Sequence, residues 1–173
     1  MKIEPAVGFY DCLEGKSLLL DTSVFIDCLF ASNGNKFKKF IEEIKNKEIP
    51  LIIPHAVEIE YLKGAKSSDE HTSRKNLIHG IVDQILPYTP DLDLMMEEIC
   101  KRMGQPGAKA SYTDILLGTI LKKYHNRLML LSKNLLDFPS TVYSMESFVT
   151  MIYPRSILNY GLYQYKQISK KPD

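Results

Sequence analysis

The stretch LLLDTSVFIDCLF, residues 18–30, decides how the rest of the chain is read. Its three leucines, with Ser17 ahead of them, make an apolar run too short for a helix. The run is bounded by Gly15 and Lys16, so it reads as a buried strand ending at Asp21. Hydrophobicity resumes after Thr22 and Ser23 with the spacing of a helix from Ser23 to Phe30. A carboxylate at such a junction has two readings. Asp21 caps the following helix, as aspartate often does, or it is the first ligand of a metal site.

Outward from that junction, strand and helix signals alternate. Phe37, Phe40, Ile41 and Ile44 set a helical period over Lys36–Lys47, and IPLIIP at 49–54 reads as a buried strand between prolines. Val57–Gly64 is helical and stops at a glycine, Ser73–His79 adds a turn or two of helix, and Ile85–Tyr88 reads as a third strand. Leu92, Met95, Met96, Ile99 and Met103 share one face of a helix over Asp91–Met103. GQPGAKAS at 104–111 reads as a loop and Tyr112–Tyr124 as an apolar helix. Arg127–Leu131 is a fourth strand, with a short fifth at Thr141–Tyr143. This order predicts an α/β fold with a mainly parallel central sheet of four to five strands, flanked by helices on both faces. One domain is expected over residues 1–150. Residues 151–173 are expected to form a C-terminal helical extension whose tyrosines, Tyr160 and Tyr163 among them, pack onto the domain or onto a second subunit, the alternative being that they stack on single-stranded RNA.

Composition narrows the function classes. The 173 residues are 45% hydrophobic and 25% charged with a net charge of +1, an ordinary balance for a globular chain without a global field for nucleic acid. No apolar run approaches the roughly 20 residues of a membrane span. The polar, acidic N-terminus does not resemble a signal peptide, so a cytoplasmic protein is expected. Cys12, Cys28 and Cys100 are scattered and odd in number, which argues against a disulfide framework or a structural zinc. The four histidines lack ligand spacing, and the basic clusters KFKK (36–39), KGAK (63–66) and LKKYHNR (121–127) read as solvated faces.

In an open parallel sheet, ligands bind beyond the carboxyl ends of the strands, where the strand order reverses. Asp21 stands at such an end. Glu60 follows the second strand, Asp114 opens the helix before the fourth, and Asn134 and Asp137 follow the fourth. Carboxylates gathered on one rim repel unless a cation lies among them, and hard divalent ions accept such oxygens together with substrate phosphate. Each group also has a structural explanation: Glu60 pairing with Lys63, Asp114 complementing a helix dipole, Asp137 in a turn before Phe138-Pro139.

These residues together resemble the PIN-domain ribonucleases, of the VapC-like toxin type. LLLDTSVFID resembles that family's opening motif, and PHAVEIEYLKG its second, in which the spacing from Pro54 and from Gly64 selects Glu60 over Glu58. TDILLGTIL resembles the third and matches Asp114, and LLSKNLLDF resembles the last and matches Ser132, Asn134 and Asp137. The resemblance implies a Mg²⁺- or Mn²⁺-dependent endoribonuclease with Asp21, Glu60 and Asp114 converging as metal ligands. It implies that Asn134 or Asp137 orients the attacking water, that Thr22 and Ser132 bond the ligand carboxylates, and that Lys133 touches the phosphate. It also implies an RNA substrate, a protein antitoxin and a homodimer, with no membrane partner. Two departures stand out: a neutral Asn134 where an acid is frequent, and LLGT where the helix after Asp114 is usually alanine-rich. A receiver domain would need acids just before Asp21, and a haloacid-dehalogenase-like phosphatase would need Asp-x-Asp there. The sequence has neither. A PIN-like domain that binds RNA or protein without cutting is the alternative that remains.

Overall fold

The structure is a computed structural model that describes residues 1–29, 34–103 and 110–167. The expected loop at 104–111 therefore falls largely outside the described residues, as do Phe30 and the last six positions. Seven strands form one sheet in the order β1-β6-β7-β5-β2-β3-β4. The central strands β5 (Leu128–Ser132), β2 (Ser17–Leu20), β3 (Leu51–Pro54) and β4 (Gln84–Leu86) run parallel. Every residue of β3 and β5 is buried. Successive side chains on a strand point to opposite faces, so helices must cover both. Phe37 and Tyr160 stack on one face, beneath α1 (Thr22–Leu29) and α2 (Gly34–Asn46). On the other, Arg102 of α5 (Leu92–Met103) bonds Tyr165, and α6 (Tyr112–Tyr124) lies over Tyr143. The remaining helices are α3 (His55–Lys63) and α4 (Ser68–Ile81).

The α/β architecture is the expected one, with a larger sheet. The C-terminal part is not a helical extension. β6 (Tyr143–Ile152) and β7 (Ile157–Tyr165) form an antiparallel hairpin, and β7 joins the central sheet at β5. The short fifth strand foreseen at Thr141–Tyr143 meets the ten-residue β6 only at Tyr143, since Thr141 and Val142 lie in the turn before it. The N-terminal β1 (Lys2–Pro5) closes that side of the sheet by pairing with β6. Tyr160 to Tyr163 are buried in succession, so β7 lacks the two-residue alternation that marks a half-exposed strand. Its tyrosines and leucines suit a strand, and Gly161 would weaken a helix.

Gly161 and Gly118 are required by close packing. A Cβ on Gly118 would fall 1.9 Å from the Tyr143 hydroxyl oxygen, and one on Gly161 would fall 2.6 Å from the Tyr163 ring. The glycine in LLGT thus lets α6 seat on an aromatic side chain brought by the hairpin. The cysteines are free, and burial beside Asp27 pushes the Cys28 thiol up to about 12, which makes it a poor nucleophile. Among the described residues no helix is long and apolar enough to cross a membrane.

Candidate active site

The chain passes from β2 to β3 and β4 on one side, then returns to place β5 on the other side of β2. The order reverses between β2 and β5, and it is outside the carboxyl ends of the strands at such a point that open α/β sheets bind ligands. Asp21 and Ser132 occupy those ends. The Asp21 amide still bonds to the Leu131 carbonyl at 3.2 Å, while its own carbonyl accepts the Val24 amide at 3.0 Å as α1 begins. Its carboxylate is 3% exposed, and its Oδ2 accepts the hydroxyls of Ser23 and Ser132, each at 2.7 Å. Burial raises the Asp21 pKa above the ordinary 3.8, and the nearby Asp114 charge adds to the rise. Ser132, Ser23 and the Thr22 amide work against it without cancelling it.

Asp114 enters from α6, where it serves as the third helical residue of a capping box. The Ser111 amide and hydroxyl each donate to its Oδ2 at 2.7 Å, and its own amide donates to Ser111 Oγ at 3.2 Å. The structural explanation of Asp114 is therefore real, and it does not exclude the other. The same carboxylate, 7% exposed, is felt by both Asp21 and Asp137. Asp137 lies in the turn after β5, its amide bonded to the Asn134 carbonyl at 3.2 Å, and burial followed by Asp114 raises its pKa. Asp21, Asp114 and Asp137 thus share one field.

Glu60 is exposed on α3 and reaches the site through Thr22, whose hydroxyl donates to its Oε2 at 2.6 Å. Glu58 points inward instead and lies 3.5 Å from His55 Nε2. Asn134 is exposed, and its amide donates to Ser132 Oγ at 3.0 Å. The expected convergence of Asp21, Glu60 and Asp114 on a single ion is not seen. Among the described residues no three His, Cys, Asp or Glu side chains form a group that could hold a metal.

A divalent ion still fits the donor set. Mg²⁺ takes one or two carboxylates and fills its shell with water and substrate oxygens. Asp21 and Asp114 are hard oxygen donors, both buried, so a bound cation would offset the burial that chiefly raises Asp21 and the smaller repulsion from Asp114. Thr22 and Ser132 bond the expected carboxylates. Two partners had no local signal: Ser23, which shares Asp21 with Ser132, and Tyr160, whose hydroxyl lies 2.9 Å from the Ser23 carbonyl oxygen across 137 residues.

Comparison with known proteins agrees with the fold. The sequence model of the PIN domain matches residues 18–128. The crystal structure of VapBC2 from Rickettsia felis bound to a DNA fragment from their promoter is similar in fold. It has 15% identity and a TM-score of 0.50 over 59% of this chain and 77% of that one. No curated protein sequence matches the chain.

Proposed function

The chain belongs to the PIN-domain family, whose members are generally nucleases, and from that premise we propose that it is a metal-dependent endoribonuclease hydrolysing RNA phosphodiester bonds in the cytoplasm. The observation that carries this reading is the Asp21 carboxylate, buried at the strand-order reversal beside a second carboxylate that repels it. Burying such a group is costly unless an ion compensates it. Asp21 and Asp114 would hold Mg²⁺ or Mn²⁺, which when bound supplies Lewis acidity at the scissile phosphate. Ser23 and Ser132 fix the Asp21 carboxylate by binding one oxygen and leaving the other for coordination. Thr22 orients Glu60 toward the outer edge of the site. Asp137, its proton affinity raised, orients the attacking water and accepts its proton, while Asn134 lines the mouth as a neutral polar group.

The fold shared with VapBC2 supports a toxin role with a protein antitoxin as partner. Exposed Ile59, Tyr88 and Tyr112 line an apolar pocket between α3, α5 and α6, which supports a homodimer through that face. Expression of the wild type should then arrest growth, and expression of Asp21→Asn should not.

The exposed Asn134 and Glu60 and the lack of a three-ligand group among the described residues favour a second reading, a PIN domain that binds RNA without cutting it. Calorimetry with Mn²⁺ separates the two. The nuclease binds Mn²⁺ and loses it on Asp21→Asn, whereas a domain that binds RNA but takes up no Mn²⁺ is the non-catalytic one.

A further inference from the structure

Beside Asp21 lies a charged cluster that the carboxylate site does not use. Asp27, on α1, is 7% exposed. Lys133 Nζ donates to its Oδ1 at 3.0 Å and its Oδ2 at 3.2 Å, and the Tyr160 hydroxyl donates to Oδ2 at 2.6 Å. Tyr160 is fully buried and stacked on Phe37 with ring centroids 5.0 Å apart. Burial and the adjacent Asp27 push its phenol far up, so it remains a donor throughout the working pH range.

Lys133 follows Ser132, the residue that bonds Asp21, and precedes Asn134. Its side chain is 29% exposed, and Asp27 engages its ammonium without burying it. An ion pair with one partner open to solvent contributes little net stability, so stability gives this one a weak reason to exist. A phosphodiester approaching Asp21 and Asp114 meets negative charge. A cation fixed at the same strand end, its rotamer freedom already spent on Asp27, offsets that repulsion.

We propose that Lys133 contacts the substrate phosphate and that Asp27 and Tyr160 are positioning residues that hold it in place. The β6–β7 hairpin, which lies outside the matched residues 18–128, is then a working part of the site. This inference rests on the nuclease reading.

The test is binding of the full chain to a labelled single-stranded RNA of mixed sequence, in EDTA, over a range of salt. Melting curves of each variant accompany it. Lys133→Gln should weaken binding and flatten the slope of log affinity against log salt by about 0.7, one phosphate contact on a single strand. Lys133→Arg should keep the slope. Asp27→Asn combined with Lys133→Gln, which removes both charges and spares the fold an unpaired carboxylate, should match Lys133→Gln. Tyr160→Phe should weaken binding by at least about twofold with Lys133 present and leave the Lys133→Gln protein unaffected, the coupling expected of groups in one network. Wild-type binding with an unchanged slope in Lys133→Gln overturns this inference alone. Equal losses from Tyr160→Phe in both backgrounds reduce Tyr160 to a structural residue and overturn its positioning role. Failure of the wild type to bind RNA would remove the nuclease reading and this inference with it.

Discussion

Replacing Gly118 with alanine tests how the hairpin and α6, the helix that carries Asp114, are fitted together. Elsewhere in a helix interior, Gly→Ala gains about 1 kcal/mol in propensity. Here the new methyl would lie 1.9 Å from the Tyr143 hydroxyl oxygen and 2.9 Å from its Cζ. Favourable contact between such atoms begins near 3.5 Å, so α6 and the ring must separate by roughly 1.5 Å. Tyr143 has little room to move. It is 1% exposed, packs edge-on against Phe138 at 5.5 Å, and abuts Tyr165 and the Met103 sulfur. Overpacking of this kind costs about 1–3 kcal/mol or more. An overlap this severe puts the cost at the upper end of that range, about 2–3 kcal/mol, so after the propensity gain a net destabilisation of about 1–2 kcal/mol remains, or roughly 2–8 °C in Tm for a chain of this length. Urea or thermal denaturation of Gly118→Ala measures it. Adding Tyr143→Phe, which removes the atom at 1.9 Å, should recover part of the loss. Because α6 also carries Asp114, cleavage should fall in parallel. A Gly118→Ala protein as stable as the wild type would refute this packing.

Three further outcomes follow from the same geometry. Ser132→Ala removes one of the two hydroxyls on Asp21 Oδ2 and strands the Asn134 amide, so about 1–3 kcal/mol of stability should be lost along with most of the activity, measured by denaturation and single-turnover cleavage. Thr22→Val frees Glu60, and the expected result is weaker Mn²⁺ binding by calorimetry with only a modest loss of Tm, since the bond is partly buried but its acceptor Glu60 stays open to water. Asp21 has a raised folded pKa, so its proton favours the folded state. That contribution is complete below the ordinary 3.8 and is lost as pH rises through the folded value. In EDTA, the Tm of Asp21→Asn relative to wild type should therefore climb as pH rises above the ordinary 3.8, and Mn²⁺ should narrow the gap by stabilising the wild type alone.

The parallel half of the sheet was legible because its strands are short apolar runs closed by Asp21, Pro54 and Ser132, and its helices keep a 3.6-residue period. Phe37, Phe40, Ile41 and Ile44, for instance, are all buried. The hairpin was not, because Tyr160–Tyr163 are covered on both faces and leave no alternation to read. At the site, sequence order alone put Asp21, Asp114 and Asp137 on one rim, since each stands next to a strand end or helix start. A solvent-facing Glu60 was one of its two readings, but it gave no hint that Glu60 would be joined to the site through Thr22. Nor could it pair Asp27 with Tyr160, 133 residues apart, because a tertiary hydrogen bond leaves no local pattern. The LLGT departure at Gly118 was visible, and its cause, the Tyr143 ring, was not.

The most direct test of the account is cleavage of a mixed pool of structured RNAs by the full chain, with Mg²⁺ or Mn²⁺ and with EDTA, alongside Asp21→Asn and Asp114→Asn. A metal site at Asp21 and Asp114 should give cutting that requires the ion and disappears in both variants while their melting curves remain cooperative. Cutting that persists in EDTA, or that survives either substitution, would contradict it.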